Sequence, residues 1–456
     1  MGTIVMILGA AGLVGGSGWL AVQMIVSPQT LLWINRFLPG WVPTSLNGLK
    51  PPQTLLEIRQ EVQQGGKRLG EPIVLSSNVS FGDGKTPVTD TLLPIFAQQP
   101  NCQSAVCERI VELRLYQSAK TLTPNQSQPY FELVGQTTIA PPTEASVLEP
   151  LVKARSATQG SDRAMPLTQL ARLEGKVPPQ GVWLNLKGLW ERGDDRILYG
   201  QVIHYNPARF HLSVLLNWTS PPGKEPLWQE VTGGGTAELL VDQTIGMEPQ
   251  FQAYQVKPRK VANDPLQLEA IDFQEATLDH PTYTTALLMA QNGLWFPAWD
   301  VLRSFKASTD KWSAPAQAQL DLLHWHAQAT QSQADKTWAS PGQQVLANLV
   351  DGRWKPGLLA FESSPESSSE TVALLKSDKG QVQQRVETAL KVNPQQWEPR
   401  VWKVLLLAAQ KNRITAIVWL KQQPKTTAAD LVRANRLIDR LGLPPSEASY
   451  SPSPGR

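Results

Sequence analysis

The alternation of apolar and polar positions divides the chain into three stretches with different periods. In the first, Thr3 to Val26 is apolar or small except for Ser17 and Gln23, and it carries no charge. Roughly 20 such residues, rising about 1.5 Å each, cross a hydrocarbon core, so the pattern predicts one N-terminal transmembrane helix. Pro28 ends it, and Trp33, Arg36 and Trp41 suit the boundary between membrane and water. Gly12 and Gly16 form a GxxxG face fit for close helix packing in lipid. Residues 1–45 are read as a transmembrane anchor with an interfacial segment.

In the second stretch, Thr54 to Gln64 reads as a short helix, with Leu55, Ile58 and Val62 at helical spacing. From about Pro72 the period falls to two. In Arg109–Tyr116, Val111, Leu113 and Leu115 face one way, and Glu112 and Arg114 the other. Arg209–Trp218 alternates in the same manner, and Asn206-Pro207-Ala208 links it to a preceding strand, Ile197–Tyr205. Further strands are predicted at Tyr130–Thr138, Gly181–Leu186, Thr236–Ile245 and Phe251–Val256. Alternation with one apolar side predicts half-buried antiparallel strands, hence an antiparallel β-sandwich or open barrel. Pro, Ser and Thr crowd residues 140–165, which reads as a linker between a helix plus β-rich region (46–150) and a sandwich-like domain (165–262).

After Pro265 the period lengthens to that of helices, in Tyr283–Met289, Gln317–Ala327, Gln343–Val350, Gln381–Leu390 and Val401–Ala409. An internal echo stands out here. Gly293-Leu294-Trp295-Phe296-Pro297-Ala298 and Gly352-Arg353-Trp354-Lys355-Pro356-Gly357 share a Gly, x, Trp, x, Pro, small order, and a weaker copy surrounds Lys411. Glycine ending one helix and proline opening the next is the chemistry of a tight turn between paired helices. These hairpins, with the Leu390-Lys391-Val392-Asn393-Pro394 join before Trp397, loosely resemble tetratricopeptide-type repeats over residues 280–441. Their spacing exceeds the ~34 residues of that family. The resemblance implies a stacked helical array (263–442) whose groove binds other proteins, followed by a disordered tail (443–456). The fold class expected is α+β multidomain: one transmembrane helix, a β-sandwich-like middle and an all-α hairpin array.

Charge narrows the function. The chain holds 42 Lys plus Arg against 39 acidic residues, a net +3, and its basic residues are scattered, so nothing argues for a nucleic-acid partner. Cys102 and Cys107 lie close together, which suggests a local disulfide and an oxidising compartment. The five histidines show no ligand spacing, so no metal and no cofactor is expected. Apparent phosphate motifs fail on context. The glycines at 9, 12 and 15 lack a following acidic residue before Glu57, and Gly84-Lys85-Thr86 runs into Pro87. Asp194-Asp195 reads as a solvated turn between strands rather than a catalytic pair.

The composition, rich in Gln, Pro and Trp, resembles that of uncharacterised cyanobacterial membrane-anchored proteins, which implies a thylakoid or plasma membrane. Arg36 and Lys50 after the anchor favour a cytoplasmic body, whereas the cysteine pair favours the exoplasmic side (periplasm or thylakoid lumen), to which the reading leans. With no catalytic constellation legible, the functional expectation is a non-catalytic scaffold that recruits proteins at a membrane. It would touch lipid through the N-terminal helix and proteins through the helical array. Trp190, Trp228, Trp295 and Trp354 are the candidate partner or glycan contacts. A carbohydrate-binding protein of the cell envelope, and an enzyme whose dispersed site no motif reveals, are the alternatives.

Overall fold

The computed structural model of the protein describes residues 51–75, 89–99, 108–119, 129–154, 159–193, 195–259, 265–363 and 365–442. Strands dominate up to Ile271 and helices follow from Pro281. The predicted anchor with Gly12 and Gly16, the pair Cys102 and Cys107, and the tail 443–456 lie outside the described residues. The membrane part of the expectation is corrected. Among the described residues no helix is long and apolar enough to cross a membrane. The longest of them, Ala314–Asp335, carries Gln, Asp and His along its length. A single-pass membrane architecture, a lipid partner and an exoplasmic location are therefore set aside.

The chain enters through helix α1 (Leu55–Gln64), opened by a capping box in which Thr54 and Glu57 satisfy each other's amides. The first sheet orders its strands β1 (Gln53–Thr54), β6 (Tyr130–Thr138), β5 (Glu108–Ala119), β4 (Asp90–Gln98) and β2 (Arg68–Leu69), with β3 (Ile73–Leu75) also paired to β4. After it comes α2 (Glu144–Lys153), which occupies the stretch read as a linker. Thr143 caps α2, and its Val147 and Leu148 are buried in the same core as the strands around it. The second sheet runs β10 (His211–Ser220), β9 (Asp195–Asn206), β8 (Val182–Arg192), β7 (Gln169–Arg172). The third runs β11 (Leu227–Gln229), β12 (Glu238–Asp242), β13 (Phe251–Pro258), β14 (Leu266–Ile271). Every pairing between these strands is antiparallel, and the isolated bridge from Gly175 to Trp228 is parallel.

These sheets stack in layers. On the outer face of sheet one, Leu93, Ile95 and Tyr116 receive Ile58 and Val62 of α1. On its inner face, Leu92, Leu113 and Leu115 meet Leu184, Leu186, Tyr199 and Ile203 of sheet two. The opposite face of sheet two gives Trp183, Val202 and Trp218 to Trp228, Leu239 and Val241 of sheet three. Sheet three then turns Ala253 toward Leu322 of the first long helix of the array. Successive strand residues point to opposite faces, so a strand apolar at both parities must lie between two cores, and β9 does.

The helical part comprises α3 (Pro281–Gln291), α4 (Trp295–Lys306), α5 (Ala314–Asp335), α6 (Pro341–Asp351), α7 (Trp354–Ser363), α8 (Pro365–Ser377), α9 (Gln381–Val392), α10 (Trp397–Gln410), α11 (Arg413–Lys421) and α12 (Ala428–Arg440). The two echoed turns join α3 to α4 and α6 to α7. Gly293 and Gly352 both adopt φ +77°, the left-handed conformation that glycine enters without steric cost. Pro297 and Pro356 each take the third position of the following helix, where a missing N–H leaves no bond unmade. Trp397 and Pro399 open α10 with the same order. One continuous core runs through the array, from Tyr283 and Leu287 through Leu349 and Phe361 to Trp402, Leu405 and Leu437.

Candidate functional site

The layer boundary between sheet three and the array leaves a cleft of about 480 Å³, lined by the β12–β13 hairpin, the end of β14, the α3–α4 turn, α5, the start of α9 and the end of α2. An ion pair closes its floor. Arg385 of α9 donates from Nη1 to Glu248 Oε1 at 2.7 Å and from Nη2 to the other carboxylate oxygen, and its Nε reaches the Gly293 carbonyl at 3.2 Å. The Arg385 side chain is 5% exposed and that of Glu248 23%. This forked geometry uses the planar guanidinium fully and ties the hairpin, the turn and α9 together.

One wall is aromatic. His326 of α5 is buried at 1% exposure, stacked on Trp295 with ring centres 4.0 Å apart, and near Phe251 and Phe273. Its Nε2 accepts the Phe251 amide proton at 2.8 Å, which places its own proton on Nδ1, 2.8 Å from the Leu322 carbonyl. Burial pushes the imidazole down to about 4, so the ring is neutral near pH 7. Tyr254 is likewise pushed up to about 12 by burial, and its hydroxyl donates to Gln252 Oε1 at 2.5 Å.

The rest of the lining is amide. Gln384 donates to Asn292 Oδ1 at 2.6 Å, Gln381 to the Ala154 carbonyl at 3.2 Å, and Gln291 to the Phe273 carbonyl at 2.6 Å. Each of these amides spends its NH₂ on the wall and keeps its carbonyl oxygen uncommitted among the described residues. Gln252, whose oxygen is taken by Tyr254, keeps its NH₂. The cleft thus offers both donors and acceptors beside flat rings, without net charge from the Arg385–Glu248 pair. Among the described residues no group of three or more His, Cys, Asp or Glu could hold a metal ion.

The tryptophans singled out in the sequence separate. Trp190 is 5% exposed and donates its indole N–H to Glu144 Oε1 at 3.1 Å. Trp228, at 1%, lies edge-on to Trp183 between sheets two and three. Trp354, at 6%, opens α7, and its carbonyl accepts the Trp402 indole proton at 3.0 Å. These three present no ring face to a solute, whereas Trp295 lines the cleft. His324 and His326 diverge as their spacing implies, for His324 stacks on Trp299 at 4.8 Å.

Sequence reasoning missed Glu248, Arg385 and the amide ring. A signal existed for Arg385, because it falls on the apolar stripe of α9 with Val382, Val386 and Ala389. A charge at a core-facing position asks for a buried partner. Nothing local announced Glu248, 137 residues away in sequence. The chain matches no protein-family profile, no curated protein and no solved structure.

Proposed function

We propose that the protein is a non-catalytic recognition scaffold that holds an extended, largely uncharged segment of a partner protein in the seam cleft. The observation that supports this reading is the commitment of the cleft's titratable groups. Both nitrogens of His326 are occupied, Glu248 is locked to Arg385, Tyr254 is fixed on Gln252, Lys153 is paired with Glu149, and Asp272 Oδ1 accepts the Gln274 amide. General acid–base work needs a group free to exchange a proton near the operating pH. What remains uncommitted is amide and aromatic surface, which complements the alternating carbonyls and amides of a polypeptide and the apolar side chains between them. The carbohydrate alternative rested on Trp190 and Trp228, whose rings are buried between layers.

The test is selection of peptides from a random display library on the purified protein, with a glycan array run alongside. Neutral, extended peptides should be enriched, and Gln252→Glu and Gln384→Glu should each weaken their binding about tenfold. Enrichment unaffected by both changes, or glycan binding that both changes abolish, would overturn the reading.

A further inference from the structure

Sheet three ends on β14, whose outer edge pairs with no other strand among the described residues. An open edge presents a row of N–H and C=O groups to pairing by another chain, and folded proteins commonly blunt it. β11, the opposite edge of the sheet, is three residues long, and β10, an edge of sheet two, is broken by a bulge between Val214 and Leu216. β14 has neither device. It runs in unbroken register with β13, contains no proline, and carries a single charge, Glu269, which is exposed together with Ala270.

The register fixes which groups face outward. In an antiparallel pair, residues that exchange both hydrogen bonds alternate with residues whose groups point away from the partner strand. Pro258 lies opposite Leu266 and has no N–H, while the Arg259 amide donates to the Pro265 carbonyl at 2.6 Å. The bonded pairs are therefore Lys257 with Gln267, Gln255 with Glu269 and Ala253 with Ile271. Leu268 and Ala270 turn their N–H and C=O groups to the free edge, where no described residue bonds them. Side chains alternate between faces. Leu266 and Leu268 lie half-buried on the core of Trp183, Trp218 and Trp228, and Gln267 and Glu269 share the other face with Ile271.

We propose that β14 pairs antiparallel with β14 of a second copy of this chain, joining the two copies of sheet three across a two-fold axis. The axis can pass through Leu268 or through Glu269 and pair most of the strand. At Glu269 it would set like carboxylates directly opposite each other, which is destabilising. At Leu268 it sets Leu268 against Leu268, Leu266 against Ala270 and Gln267 against Glu269. The apolar row Val256, Leu268, Leu268, Val256 then runs unbroken across both copies and covers the half-buried flank of the core. On the other face Glu269 meets Gln267 and, one strand further, Lys257 of the second copy, so the charges are complementary. Leu268 exchanges both bonds with its counterpart, and the Ala270 amide donates to the Leu266 carbonyl, whose oxygen has two lone pairs. The pairing needs only this protein, so it stands apart from what the seam cleft binds.

The experiment is sedimentation velocity of the full-length protein over a range of concentrations, where a reversible dimer is expected. Ala270→Pro removes only an outward N–H, a change that edge strands tolerate. It should raise the dimer dissociation constant about tenfold or more and leave the circular dichroism unchanged. Cross-linking reads the register. With Cys102→Ser and Cys107→Ser in place, Glu269→Cys should join the copies through a short bis-maleimide, whereas Ile414→Cys, exposed on the helical array, should not. A monomer at every concentration, a dimer as tight in Ala270→Pro as in wild type, or cross-linking through Ile414→Cys instead of Glu269→Cys would each overturn the proposal.

Discussion

His326 shows how one side chain can make a layer boundary sensitive to pH. Its folded value is depressed to about 4 from an ordinary 6.5, because burial penalises the charged ring. The unfolded chain therefore binds a proton between these two values while the native chain does not, so stability is present above pH 6.5 and lost as pH falls toward 4. The loss amounts to about 3 kcal/mol at about 1.4 kcal/mol per pH unit. Urea midpoints measured from pH 7 to pH 4 should fall accordingly, and His326→Gln, which retains an acceptor for the Phe251 amide, should flatten the slope. An unchanged slope would show that other groups govern it. At the same boundary, Arg385→Ala leaves Glu248 without its partner. The carboxylate is partly exposed, so the cost is set below that of a fully buried pair, at about 2–3 kcal/mol. Adding Glu248→Gln should recover part of that loss in a double-mutant cycle.

At the scale of elements, the hairpin turns can be tested against a control. Gly223 and Gly352 have similar backbones, φ +72° and +77°, but a Cβ at Gly223 would meet nothing within 4 Å. At Gly352 it would fall 2.9 Å from Pro297 Cγ, across the neighbouring hairpin. Gly223→Ala should therefore cost about 1 kcal/mol from backbone strain alone. Gly352→Ala should cost more, because the repeated Pro must also shift, and thermal melts of both variants decide it. Gly293 and Gly352, with Pro297 and Pro356, were legible in the sequence, since turn chemistry is local. So were β5 and β10, whose alternation is strong, and the spans of β6 and β9 were predicted beside them. β4 was not, because Leu92-Leu93-Pro94-Ile95-Phe96 is apolar at both parities, facing Leu113 and Leu115 on one side and α1 on the other. Glu112 and Arg114 read as a solvated face. They are covered by α1 instead, where Arg114 binds Glu112 at 2.5 Å and Glu61 at 3.2 Å. A helix some 50 residues away in sequence leaves no mark on a strand's own period, and the seam cleft, assembled from six segments, was illegible for the same reason.

For the whole molecule, the layers differ in how firmly they are joined. The cores between sheets one and two and within the helical array contain many large buried side chains, whereas the join between sheet three and α5 buries Val231, Ala253 and Leu322 fully, with Phe251, Phe273 and Trp325 partly covered. Hydrophobic stabilisation scales roughly with apolar area removed from water, so this boundary is the weakest in the stack. Polar contacts at the same boundary, Arg385 on Glu248 and His326 on Phe251, supply orientation more than free energy. The β stack and the helical array should therefore unfold in separate steps. In guanidinium, the strand signal in circular dichroism and the helix signal at longer wavelength should give different midpoints. Arg385→Ala should lower the earlier midpoint and leave the later one in place, because only the first step breaks the seam. Coincident midpoints in wild type and variant would mean that the seam is strong enough to make one cooperative unit of all the layers. A partner segment lying in the cleft would touch both halves at once, and by binding only the joined form it would raise the earlier midpoint as its concentration increased.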